Sequence, residues 1–147
     1  MDRLALLLPL VLVGCGPAAP QPDYRSSNGV GYFWEGSSFE PSLIEEQENW
    51  FLPQLPDLGV SLEKSMHTLS YAQVHLYPDK IPCGPSSPSG FCNGLEDGTR
   101  LLVRNMGCPF NSALTHEMGH LIQPKYDPSH EDVAFWKVAD GAPRSCP

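Results

Sequence analysis

The chain lacks three features, and each absence excludes a class of protein. It has no long apolar run, because the N-terminal one from Leu4 to Val13 has ten residues and a membrane helix needs about 20. It has few basic residues, 9 against 17 acidic ones, and the net charge of −8 argues against nucleic acid as a partner. It has no CxxC pair, which argues against a zinc site built of thiolates.

The short N-terminal apolar run is predicted to be the core of an export signal. It follows one positive charge, Arg3, and ends in the letters LVGC at Cys15. LVGC resembles the lipobox of bacterial lipoproteins, in which the cysteine is lipidated and becomes the first mature residue. The resemblance implies a signal peptide at 1–14, a lipid anchor on Cys15 and, with Gly16 next, sorting to the outer membrane of the bacterial envelope. Ordinary secretion without a lipid is the alternative.

Residues 15–31 are predicted to form a flexible tether, and residues 32–147 one small domain. The tether segment is rich in proline, glycine, serine and alanine and has no apolar periodicity. The 16 prolines and 13 glycines of the chain indicate long irregular connections. Small domains with many loops usually need cross-links to be stable.

Four cysteines remain once Cys15 is assigned to the anchor. An even number in an exported chain predicts disulfides, and three pairings are possible. We favour Cys83 with Cys92, which closes a turn-rich loop, and Cys108 with Cys146, which ties the start of the HEMGH segment to the C-terminus. A thiolate zinc site is the alternative.

Local patterns predict an α+β domain with a short sheet. Apolar spacing, start signals and stop signals predict helices at about 42–52, at 113–122 and after a cap at Asp127 or Ser129. Residues rich in β-formers predict strands at 69–77 and 99–104, and the segment 78–98 is predicted to contain only turns. Five aromatic residues are predicted to be core: Trp34, Trp50, Phe51, Phe135 and Trp136.

The motif HEMGH, residues 116–120, carries the chemistry. Residues four apart lie on one face of a helix, so His116 and His120 can bind one cation. Zinc lowers the pKa of a bound water to near 7, and Glu117 beside the ligands is predicted to take the proton from that water. Gly119 lowers helix stability relative to alanine, which indicates close packing at that point.

A catalytic zinc ion takes three protein ligands, so one more is needed. His130 is predicted to be the third, because it is an imidazole that ends a short loop after the motif helix. Glu131 is the alternative, since a glutamate on a helix is the third ligand of thermolysin-like enzymes. Tyr126 could stabilise an oxyanion or simply pack over the helix end. His67 and His75 are predicted to be structural or exposed.

HEMGH resembles the signature of zincin metallopeptidases. A metzincin would continue with glycine at position 123 and histidine at 126, where this chain has Gln123 and Tyr126. A later histidine followed by Phe-Trp resembles, at a longer spacing than usual, the small bacterial zincins of the minigluzincin or WLM type. The resemblance implies a small zincin-like domain, one Zn²⁺ ion, and a strand before the metal helix, here 99–104, at the edge of the substrate cleft.

The expected function is zinc-dependent hydrolysis of peptide bonds, in a peptide or protein substrate, by a lipid-anchored envelope protein. A zinc hydrolase of a non-peptide amide would share the chemistry. The alternative from another class is a non-catalytic metal-binding or structural surface lipoprotein. The presence of Glu117 argues against that alternative, because metal binding needs the histidines and not the base.

Overall fold

The computed structural model describes residues 20–36, 39–83, 89, 91–92, 94–104, 113–123 and 129–142. Within them the strands and helices follow in the order β1 Tyr24–Arg25, β2 Gly31–Trp34, α1 Pro41–Phe51, α2 Leu62–Ser70, β3 Gln73–Tyr77, β4 Ile81–Pro82, β5 Phe91–Cys92, β6 Gly94–Asp97, β7 Arg100–Arg104, α3 Ala113–Ile122 and α4 Val133–Ala139. The predicted α+β class is confirmed. No helix in this part of the chain has the length and apolar character needed to cross a membrane.

A mixed five-stranded sheet, in the order β1-β2-β3-β7-β6, organises the domain. Strands β2, β3 and β7 are parallel, and β1 and β6 run antiparallel to them at the two edges. Strands β4 and β5 form a separate antiparallel pair. Parallel neighbours need a crossover connection, which α1 and α2 provide between β2 and β3.

One face of the sheet and the helices share a single hydrophobic core. Side chains alternate along a strand, so Val74 and Leu76 of β3 lie beside Leu101 and Val103 of β7 on the same face. Large side chains from the helices complete the core, including Phe51, Leu69, Met118 and Phe135. Each such burial contributes about 1.5–3 kcal/mol relative to exposure.

Two predicted helices, near 42–52 and 113–122, are confirmed as α1 and α3, and one predicted strand, 99–104, as β7. The predicted strand 69–77 is correct only from Gln73 onward, because Leu69–Ser70 form the last turn of α2. Ser61 caps α2 by accepting a hydrogen bond from the Lys64 N–H at 3.3 Å. Leu69, fully buried, is a helical core residue, and this packing overrides the local β-propensity.

The prediction of turns alone for 78–98 is wrong, since β4, β5 and β6 lie there. The predicted disulfide between Cys83 and Cys92 is confirmed, with 5.8 Å between the Cα atoms, and it ties β4 to β5. Strand β6 forms because β7 supplies its backbone partners, and Gly98, with a φ of 65°, turns the chain between them. The pairing with β7 is not visible in local composition, whereas Asp97-Gly98 is a local hairpin signal that was missed. Cys15, Cys108 and Cys146 lie outside the described residues.

About half of the segment predicted as the tether, residues 24–31, lies in the sheet and in the turn between its first two strands. Strand β1 pairs with β2, and Val30 has no exposed surface. The hydroxyls of Tyr24 and Tyr32 donate to Glu45 and Glu48 of α1, respectively. Serine, asparagine and glycine in this stretch form the turn between the two strands. These residue types are also typical of linkers, so composition alone does not distinguish a turn from a tether.

Candidate metal centre

The two motif histidines lie on one face of α3, as their spacing predicts. The Nε2 atoms of His116 and His120 are 3.2 Å apart, and both side chains are partly exposed. The other side of α3 is held in the core, where Leu114 and Met118 are buried. The helix therefore presents the imidazoles from a packed and rigid base.

His130 joins this pair from the other side. Its ring centroid lies 5.0 Å from that of His116 and 5.2 Å from that of His120, and the three ligand atoms all lie within 4.8 Å of one another. The Nε2 atom of His130 is buried and has no hydrogen-bond partner among the described residues. The three predicted ligands thus form a group that could hold a metal ion, which would also satisfy that nitrogen.

The backbone brings His130 inward through an uncommon conformation. Its φ of 56° lies in the left-handed region, which is rare for a residue with a side chain, although histidine is enriched there. Helix α4 begins only after it, because Asp132 is the cap and accepts a hydrogen bond from the Phe135 N–H at 3.2 Å. The predicted cap at Ser129 is therefore wrong, and the alternative, Asp127, lies outside the described residues.

The indole ring of Trp136, on α4, packs against all three histidines. Its ring centroid lies 5.0, 4.7 and 4.3 Å from those of His116, His120 and His130, respectively. The residue is 4% exposed, so its prediction as core is confirmed, whereas the same prediction for Trp50 is wrong, since that residue is 40% exposed. Helix α3 approaches it at Gly119, where an added Cβ would lie 3.0 Å from Trp136 Cζ3, which is the close packing that this glycine indicated.

Asp140, at the C-terminal end of α4, orients His116. Its Oδ1 lies 2.8 Å from His116 Nδ1. A proton on Nδ1 that is donated to the carboxylate leaves Nε2 as the free acceptor that a metal needs. Sequence reasoning missed this contact, although Trp136 and Asp140 are four residues apart on one helix, as His116 and His120 are.

Replacing Asp140 with alanine is expected to weaken Zn²⁺ binding by about 10- to 100-fold, because the ring of His116 loses the group that orients it. A competition titration with a chromophoric chelator measures the change. Asp79→Ala, which removes an equal charge from an exposed position of the chain, is the matched control. Equal affinities for the two variants would contradict a positioning role for Asp140.

Glu117 is buried between α3 and the sheet edge. It is 7% exposed, and burial, reinforced by the charge of Glu96, raises its pKa to about 7. Its carboxyl group lies against Gly94 of β6, where an added Cβ would fall 2.6 Å from Glu117 Cγ. Only glycine leaves room at this point. Sequence reasoning missed Gly94, because its segment was predicted to be a turn.

The edge of the sheet beside the metal helix is β6. Strand β7, predicted to form the cleft edge, lies between β3 and β6 and is internal. This prediction is wrong because the chain turns at Gly98, which places β6 outside β7. Helix α3 packs on both strands.

The remaining candidates have different outcomes. Glu131, the alternative third ligand, is exposed and is not part of the histidine group. Tyr126 lies outside the described residues. His67 is exposed on α2, and His75 pairs with Glu35 through a contact of 2.6 Å between Nδ1 and Oε1. Both agree with their prediction as structural or exposed residues.

Comparison of the chain with protein families, curated proteins and solved structures gave no match. The chemistry of the site therefore follows from its own residues alone.

Proposed function

We propose that this protein is a zinc-dependent peptidase with a small zincin-like domain. His116, His120 and His130 hold the ion, and Glu117 is the general base. One observation carries the proposal: three imidazoles converge, and the helix that carries two of them also carries a buried glutamate whose pKa is raised to about 7. A metal site without catalysis has no need for that carboxyl group.

Zinc suits the donor set. Three neutral imidazoles with one position left open are typical of catalytic zinc. Two nitrogens at about 2.0–2.1 Å from a tetrahedral ion are roughly 3.3 Å apart, since the ligand angle is about 109°. The observed distance of 3.2 Å between His116 Nε2 and His120 Nε2 agrees with that spacing. Imidazole also suits copper and nickel, and the glutamate placed as a base beside the histidines is the feature that supports zinc in this proposal.

Each group of the site has a separate role in the proposed reaction. When bound, zinc would supply Lewis acidity, which polarises a carbonyl group and lowers the pKa of a water molecule to near 7. Glu117 accepts a proton at its carboxylate and returns it to the nitrogen of the departing amine. Burial favours its neutral form, so the proton is held between the two transfers. Asp140 holds His116 in place, and Trp136 shields the histidines from water on one side.

The substrate class follows from the sheet edge. Strand β6 ends the five-stranded sheet in the part of the chain that is described, and the backbone of an edge strand can pair with an added strand. An extended peptide bound there would lie beside α3 and Glu117. This placement favours a peptide or protein substrate over a small amide.

Removal of the metal is the direct test of this function. The purified protein is expected to hydrolyse a mixed peptide pool when loaded with one equivalent of Zn²⁺, and mass spectrometry of the products measures the cleavage. Treatment with a chelator should abolish cleavage, and added Zn²⁺ should restore it. Cleavage that survives complete metal removal would contradict the proposal. One bound zinc without any cleavage would instead indicate the non-catalytic metal-binding lipoprotein.

The location is part of the proposal and rests on the sequence alone. A lipid on Cys15 would hold the domain at the bacterial envelope, most simply at the outer membrane. Cys15→Ser is expected to move the protein from the membrane fraction to the soluble fraction after cell lysis and centrifugation. Retention of the variant in the membrane fraction would rule out the lipid anchor.

A further inference from the structure

Glu96 of β6 has a carboxylate that the proposed reaction does not use. Side chains alternate along a strand, so Glu96 and Gly94 lie on the same face of β6. That face carries the helices, because Glu96 is opposite the fully buried Leu101 in the register with β7, and Gly94 touches Glu117. Glu96 itself remains partly exposed. It therefore lies at the edge of the sheet, two residues along the strand from Gly94, the glycine against which Glu117 packs.

Among the residues that the structure describes, no basic side chain pairs with Glu96 or Glu117. Within the described ranges, neither Glu96 nor Glu117 forms an ion pair, and the side chain of Glu117, a residue that is only 7% exposed, forms no hydrogen bond there. The nearest basic residue along the chain, Arg100, pairs with Asp97, which points to the other face of β6. The carboxylate of Glu96, with no counter-charge among the described residues, creates a negative potential at the sheet edge that a cationic ligand would relieve.

The net charge of the whole chain also favours a positively charged ligand. With a net charge of −8, the protein attracts positively charged peptides and repels acidic ones over long range. Local selection still needs a specific group, since long-range attraction alone does not place a charge next to the bond that is cleaved. Glu96 is the described residue that can do so from the sheet edge, where an extended peptide would pair with β6.

We propose that Glu96 binds a positively charged group of the substrate, a free amino terminus or a lysine or arginine side chain, close to the bond that is cleaved. The inference rests on the proposed function and adds the substrate class to it. Glu96 is a specificity residue in this view. It binds the substrate and takes no part in proton transfer.

Equilibrium binding tests the role of Glu96 without catalysis. The probes are four pentapeptides of one sequence, with the amino terminus either free or acetylated and with either lysine or norleucine at the second position. Their dissociation constants are measured by calorimetry with the zinc-loaded full chain carrying Glu117→Gln. We expect a charged peptide to bind about tenfold more tightly than the peptide with neither charge. Glu96→Gln, added to the same protein, should bring this ratio close to one.

Asp97→Asn is the matched control, because it removes the same charge from the adjacent residue on the opposite face of β6. It should leave the preference unchanged. The peptide pair that shows the preference tells whether the amino terminus or the side chain is bound. Failure of all four peptides to bind, equal affinities, or a preference that survives Glu96→Gln would overturn the proposal. Hydrolysis by the protein with Glu117 intact is measured separately, so a failed reaction and a failed specificity role are distinguishable.

Discussion

Replacing His130 with alanine is expected to weaken Zn²⁺ binding by more than about 100-fold, because it removes one of three ligands, and loss of a residue that merely orients a ligand already costs 10- to 100-fold. The structure supports a ligand role in two ways. His130 adopts a left-handed backbone that turns it toward the motif histidines, and its Nε2 is buried without a hydrogen-bond partner in the described part.

Glu131→Ala is the control, since it changes the adjacent residue and the alternative third ligand. It should leave the zinc affinity within a few-fold of the parent. Both variants are measured by competition with a chromophoric chelator, and circular dichroism checks that each remains folded. If Glu131→Ala loses the metal and His130→Ala keeps it, the ligand set proposed here is wrong.

Glu117→Gln is expected to keep one zinc per chain and to lower kcat for peptide hydrolysis by about 10²- to 10⁴-fold. The amide has nearly the same shape as the carboxyl group, so the cavity beside Gly94 stays filled, but it cannot accept the proton. Metal analysis and steady-state kinetics on the same preparation separate the two effects. A variant that hydrolyses peptides as fast as the parent would show that another group is the base.

The pH dependence of stability provides an independent check on Glu117 in the metal-free protein. Burial raises its pKa from 4.5 to about 7, so the folded state holds a proton that the unfolded state has released. The free energy of unfolding should therefore fall as the pH rises from 4.5 to about 7, by roughly 3 kcal/mol. Glu117→Gln should lack this part of the decrease. Glu48, whose pKa burial also raises, is present in both proteins, so its contribution cancels.

Urea titrations of both proteins at several pH values in this window give the free energy of unfolding. Its slope against pH is then compared between the two proteins. Identical pH dependences would mean that Glu117 ionises at its usual pKa in the folded state, and the description of a base poised near neutral pH would then be wrong.

Local signals in the sequence were enough to predict α3 and its two histidines. Residues four apart share a helix face whatever surrounds the helix, and Pro124 stops the helix wherever it packs. The disulfide between Cys83 and Cys92 was also predictable, because it closes a short loop in which few other partners are available. These features depend on residues that are close together in the chain.

The first two strands and β6 were not predicted, because their stability comes from distant partners. Helix α2 was also missed, although the Ser61 cap is a local signal. Strand β1 is held by β2 and by two tyrosines that donate to α1, while its composition is that of a linker. Strand β6 exists through pairing with β7 in a segment rich in turn formers. Propensity is a weak guide wherever tertiary contacts decide the backbone.

By itself, the sequence determined the residue types of the proposed ligands, the spacing of two of them on one helix and the presence of a glutamate next to them, since all of these follow from the geometry of a single helix. The tertiary structure decided how the site is completed. It brings His130 across from the start of α4, places Asp140 on His116, and sets Gly94 and Glu96 beside Glu117. The physical reason is distance along the chain, because each of these contacts joins segments that only the packing of α4 and β6 against α3 brings together.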